Sequence, residues 1–126
     1  MLEEYMQSSR VPTLEETKVI ELLVAKANYK KMDWKQELKV VDIPDGMGSL
    51  LLIPQGQSNT KRLFKAQISE ALFKDIDDVD VLISLNIDQN DLLYELDIWK
   101  MNYGPLISFA NLFTDNGNIK QALSWE

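Results

Sequence analysis

From Val79 to Asp88 one set of alternate positions is wholly apolar (Val79, Val81, Ile83, Leu85, Ile87), while the other holds Asp80, Leu82, Ser84, Asn86 and Asp88. A period of two is the mark of a strand with one buried face. Gln89-Asn90-Asp91 supplies a turn, and Leu92 to Met101 follows as a second strand. Two strands joined by three residues form a hairpin. Simple alternation places Leu92, Tyr94, Leu96 and Ile98 on one face, and Leu93, Glu95, Asp97, Trp99 and Met101 on the other. A hairpin with one greasy face is not stable alone in water, so the rest of the chain must add strands and a cover.

The cover is predicted upstream. Thr13-Leu14-Glu15-Glu16 has the spacing of a capping box, in which the Thr13 hydroxyl and the Glu16 side chain satisfy each other's backbone amides. An apolar stripe of Leu14, Val19, Ile20, Leu22, Leu23, Ala25 and Ala27 follows, and Asn28 ends a helix over 13–28. Strands are then predicted at 38–43, 49–53 and 62–74, although Ser69-Glu70-Ala71-Leu72-Phe73 also fits a helical turn. Pro44-Asp45-Gly46-Met47-Gly48 is turn chemistry in which both glycines can take positive φ. Leu50 to Ile53 is apolar on both faces, which suits a covered or central strand. Residues 1–12 read as an arm docking through Leu2, Tyr5 and Met6, and 108–126 as a segment packing back on the sheet, with a short helix from Ile119 to Trp125. The expected architecture is α+β: one domain over 1–126, an antiparallel sheet of about five strands, and one N-terminal helix on one face.

Composition narrows the chemistry. A chain of 126 residues without cysteine or histidine has no disulfide, no thiolate nucleophile, no Ser-His couple and no imidazole metal ligand. No apolar run approaches the ~20 residues of a membrane span. The opening Met1-Leu2-Glu3-Glu4 lacks the features of a secretory signal, so a cytoplasmic location is expected. Charge is uneven. Thirteen bases and twenty acids give −7, and eight of those acids lie between Asp75 and Asp97 with no base among them. Such a sector repels phosphate backbones and anionic lipid, so neither nucleic acid nor membrane is an expected partner. It would steer a basic protein instead. The plainer account is that the acids solvate turns and one sheet face.

Several clusters have the composition of a site. Asp75-Ile76-Asp77-Asp78-Val79-Asp80 fails as an EF-hand loop, since Asp80 and Asn86 stand where Gly and Glu are required. A looser cation site shared with Asp88 or Asp91 is the lesser alternative to solvated turn carboxylates. Gly46-Met47-Gly48-Ser49 lacks the spacing of a phosphate loop and reads as a hairpin turn. Lys30, Lys31 and Lys35 around Trp34 are too few for a nucleic-acid stripe. Glu95 and Asp97 share a strand face with Trp99, Met101 and Tyr103, and that face needs a cover: the C-terminal segment through Phe109, Phe113 and Trp125, a second copy, or a different partner. The expected binding set is Asp80, Glu95, Asp97, Trp99, Met101 and Tyr103. No catalytic residue, metal or cofactor is assigned. The alternatives are a carboxylate-based hydrolase or metal-dependent enzyme using Glu95, Asp97 and Asp80, and a structural homodimer.

Asp45-Gly46-Met47-Gly48-Ser49-Leu50, Leu93-Tyr94-Glu95-Leu96-Asp97-Ile98-Trp99-Lys100 and Pro105-Leu106 together resemble an uncharacterised family of small bacterial proteins. Its pattern is a D-G-x-G-S-L turn, an L-Y-E-L-D-x-W-K strand and a P-L ending, and the similarity covers roughly residues 10 to 107. The family commonly has D-G where this chain has Asp77-Asp78. The resemblance implies no activity, and an immunity-like role follows only by analogy with small acidic domains that neutralise toxins. It is compatible with a folding role for Tyr94, Leu96 and Ile98 as core, and for Glu95 paired with Lys100 or Lys39.

Overall fold

The computed structural model describes residues 9–56 and 61–114. Helix α1 (Leu14–Ala27) is followed by strands β1 (Lys39–Asp42), β2 (Leu50–Ile53), β3 (Phe64–Lys74), β4 (Asp80–Asp88) and β5 (Leu93–Lys100), then by a short helix α2 (Ala110–Thr114). The strands form one antiparallel sheet in the order β1-β2-β5-β4-β3. The α+β reading therefore holds, and residues 69–73 belong to β3 rather than to a helix.

Both ends of α1 are closed by its own sequence. Thr13 Oγ1 accepts from the Glu16 amide at 3.0 Å, and Glu16 Oε1 accepts from the Thr13 amide at 2.8 Å. Asn28 takes the left-handed conformation, so that its amide reaches Ala25 and the Tyr29 amide reaches Val24. That is a Schellman ending, with asparagine where glycine is commonest. The buried stripe is narrower than the sequence suggests: Val19, Ile20, Leu23 and Val24 face the sheet, while Leu14 is 74% exposed. Leu14 lies five positions before Val19, roughly 140° round a helix at 3.6 residues per turn, which turns it away.

Under α1 the core takes Val81, Ile83, Leu85 and Ile87 from β4, Leu50 and Leu52 from β2, and Ala71 and Phe73 from β3. β5 corrects the simple alternation. Asn86 pairs with Glu95 but Ile87 pairs with Leu93, leaving Tyr94 as an extra residue in a bulge. Leu93 thus joins Leu96 and Ile98 in the core, and Tyr94 packs on the opposite face against Val41, Leu51 and Ile53. Two further register shifts interrupt β3, near Lys65 and Ile68. β2 is wholly buried between β1 and β5, as its unbroken apolar run implies.

Beyond β5 the chain turns back to the helix side. Phe109 and Leu112 enter the core, and the Phe109 ring lies 6.1 Å from that of Phe73. The short helix α2 here is an element that the sequence pattern does not announce. Before α1, Arg10 exchanges two backbone hydrogen bonds with Val40, covering part of the β1 edge. The expected docking of Leu2, Tyr5 and Met6, and the helix from Ile119 to Trp125, lie outside the described residues.

Asp78, where the resemblance noted above implies that glycine is common, holds φ 68° in the β3–β4 turn. An L-residue in this region is disfavoured, and glycine is not. Asp78→Gly is expected to raise unfolding stability by about 0.5 kcal/mol and Asp78→Ala to lower it, read from urea midpoints at constant m-value.

Candidate functional site

The acids of residues 75–97 separate into two groups. Asp75 is buried and accepts from Lys100 Nζ at 2.9 Å and from the amides of Ile107 and Ser108 at 2.8 and 3.0 Å. Lys100 Nζ also donates to Asp77 at 2.6 Å and to the Pro105 carbonyl at 3.1 Å. Asp88 is buried against Arg62, whose Nε donates to it at 2.8 Å, and it caps the amides of Asn90 and Leu92. Asp80 pairs with Lys74, and Asp91 with Lys65. Five of the eight acids are thus matched by cations from elsewhere in the chain. Asp78 sits exposed at a turn tip. Glu95 and Asp97 remain, and no described residue gives either a cationic partner.

This corrects the picture of solvated turn carboxylates, because Asp75 and Asp88 are buried ligands of buried cations. It also corrects the proposed pairing of Glu95 with Lys100. Lys100 lies opposite Val81 on the core side of β5, whereas Glu95 lies opposite Leu51 and Asn86 on the other side. Glu95 instead accepts from Asn86 Nδ2 at 2.9 Å. Asp75–Asp80 gathers no metal site: among the described residues no group of three or more carboxylates is placed to hold a metal ion.

Glu95, Asp97 and Trp99 share the face turned away from α1, at successive alternate positions of β5 beyond the bulge. Trp99 is 41% exposed, and the Tyr103 ring meets it edge-on at 5.3 Å between centroids. Met101 and Tyr103 follow the end of β5 and are exposed. Phe109 and Phe113 do not cover this face, since both pack on the helix side; Trp125 lies outside the described residues. Asp80 is not brought to Glu95 and Asp97. Asp97 lies opposite Ser84, and Asp80 is four residues along β4 from there, about 13 Å at strand rise. Three clefts formed by described residues, the best enclosed about 240 Å³ between α1, Gly48 and Leu106, include none of these three acids.

Burial pushes the Glu95 carboxyl above its ordinary value; the Asn86 hydrogen bond opposes this, and Asp97 and Asp45 add repulsion. Burial likewise raises Asp97, helped by Asp45 and opposed by the Ser49 hydroxyl 3.5 Å away. Ser49 Oγ also accepts the Ile98 amide at 2.8 Å, extending the β2–β5 junction by a side chain. Asp88 goes the other way: burial works against its charge, but Arg62 and two amides hold it below the usual carboxylate range. Sequence reasoning missed Asn86, Ser84 and Glu70 on this face. Their signal was the polar half of the alternation in β4 and its continuation across β3.

A lowered carboxyl contributes stability above its unfolded pKa and loses it on acidification; a raised one contributes below its unfolded pKa and loses it as pH rises through the folded value. Asp88→Ala is therefore expected to cost about 3–5 kcal/mol at pH 7, leaving Arg62 buried without its carboxylate. The double variant Glu95→Gln, Asp97→Asn should instead gain up to about 1 kcal/mol at pH 7, the gain vanishing below pH ~4. Urea melts at pH 3.5, 5 and 7 separate the two behaviours.

The matching family model spans residues 9–110 and is described as a domain of unknown function, DUF6984. Comparison with curated proteins and with solved structures gives no match. The match covers α1 and all five strands, including the carboxylates and Trp99 of the open face, and the chain belongs to the DUF6984 family.

Proposed function

We propose that this chain is a non-enzymatic protein-binding domain whose open sheet face docks a basic protein. One observation carries the reading. Of the eight acids between Asp75 and Asp97, five meet internal cations and Asp78 stands in water at a turn tip, while Glu95 and Asp97 are half-buried and unmatched beside the exposed Trp99–Tyr103 pair. Aromatic anchors next to desolvated charge are the usual composition of a binding hot spot. A cation from the partner would relieve the repulsion that Asp45, Glu95 and Asp97 impose on one another.

A second copy is a poorer occupant. A two-fold interface sets the same patch against itself, which would bring the unmatched carboxylates together. The enzyme reading draws support from the raised carboxyls of Glu95 and Asp97, but Asp80 stands too far along β4 to complete it. The narrowest form of the binding reading is immunity-like: a cytoplasmic bacterial protein whose partner is a basic toxin.

The test compares the wild-type chain with Trp99→Ala and with Glu95→Gln, Asp97→Asn as immobilised baits in host lysate over a salt series. Basic proteins retained by the wild type should be lost from both variants, and their retention should weaken as salt rises. Capture of the same proteins by all three baits would end the reading.

A further inference from the structure

We infer that the open face receives one guanidinium group, an arginine side chain of the basic partner, in a notch above Ser84; the inference rests on the docking reading above. Ser84 lies opposite Asp97 on β5 and opposite Glu70 on β3. With strands about 4.8 Å apart, the two acids stand roughly 10 Å from each other across a small residue. One rung along, Asn86 lies opposite Glu95; one rung the other way, Leu82 lies opposite Trp99. Ser84 is thus flanked by the carboxylates Glu70 and Asp97 on its two neighbouring strands and by Asn86 and Leu82 along its own, with Glu95 and the Trp99 indole at the two corners on β5.

The acceptors outnumber the donors. Asn86 is 6% exposed, and its side-chain oxygen has no hydrogen-bond partner although its nitrogen holds Glu95. That orphaned oxygen lies buried beside Glu95, and it is an acceptor independent of the carboxylates that an N–H or O–H donor would satisfy. A guanidinium offers five donors in a plane and stacks on an indole, whereas an ammonium offers three and keeps its water more strongly. A bare metal ion fits worse, because no three carboxylates among the described residues come close enough to share one. Charge complementarity and the wall provided by Trp99 thus favour arginine over lysine or a metal.

The test uses the full chain and the pentapeptide Ac-Gly-Gly-Arg-Gly-Gly-amide, with lysine and citrulline versions as probes. Binding is followed by amide and indole NMR shifts. The arginine peptide is expected to move Ser84, Asp97 and the Trp99 indole at millimolar concentration. The lysine peptide should bind at least about threefold more weakly, and the uncharged citrulline peptide should leave these signals unmoved. Asp97→Asn and Glu70→Gln, each checked for a native spectrum, should each weaken the arginine peptide at least about fivefold. Equal binding of citrulline or lysine, shifts mapping to the 75–80 turn, or no shift at all overturns the inference. The lysate experiment stays separate: face-dependent capture with no arginine preference removes the guanidinium and keeps the docking face, while face-independent capture removes both.

Discussion

Two buried cations govern which acids this fold can spare. Arg62 enters between the strand ends, donating to the carbonyls of Leu52 and Leu93 and to the carboxylate of Asp88, so a single guanidinium ties β2, β5 and β4 together. Its plane also lies over the Tyr94 ring, 5.0 Å from the centroid. At the other end of the sheet Lys100 ties β5 to the β3–β4 turn and to Pro105. A charge taken out of water and left without a partner costs several kcal/mol. Asp75 and Asp88 are therefore committed to the fold before any question of binding arises. The same ties discriminate register. Arg62 bonds Leu52, Leu93 and Asp88 in the register that the bulge at Tyr94 gives β5 against β4, so the polar network and the irregular strand occur together.

Glu95 and Asp97 stand outside that arrangement. They are half-buried on a sheet, where a carboxylate is poorly hydrated, and the neighbouring Asp45 repels both. Threonine or glutamine would sit on such a face with less strain on the fold. Residues that cost stability without serving the core are the ones most readily explained by what the surface does. The net charge of −7 points to the whole protein as acidic, but internal pairing already occupies five of the eight acids between Asp75 and Asp97.

Elements with a local cause were legible in the sequence. The capping box at Thr13 and Glu16, the alternation in β4, and the positive φ of Gly46 and Gly48 each depend on residues within a few positions of one another. So did the shared face of Glu95, Asp97 and Trp99, because all three lie on the same side of the bulge. What depended on distant partners was not legible. The bulge at Tyr94 is fixed by how β5 meets β4, and a period-two pattern has no place for an extra residue. Lys100 and Asp75 are 25 positions apart, and Arg62 and Asp88 are 26 apart. A single sequence shows eight acids in a row of segments; only the folded chain shows that five are already occupied.

The aromatic pair connects these two levels. Tyr103 is not glycine, yet it holds φ 63°, a conformation that costs an L-residue about 1 kcal/mol or more. Its side chain gains little burial in exchange, since it is 67% exposed. The turn is held by the Tyr103 amide donating to the Lys100 carbonyl at 2.8 Å, and Lys100 is itself fixed by Asp75, Asp77 and Pro105. The buried lysine thus sets the backbone that brings the Tyr103 ring against Trp99, at the edge of the unmatched carboxylates. Stability invested on the core side of β5 is transmitted through one residue to the geometry of the opposite face, and that coupling is why the same strand can hold both a fully buried cation and two unmatched acids.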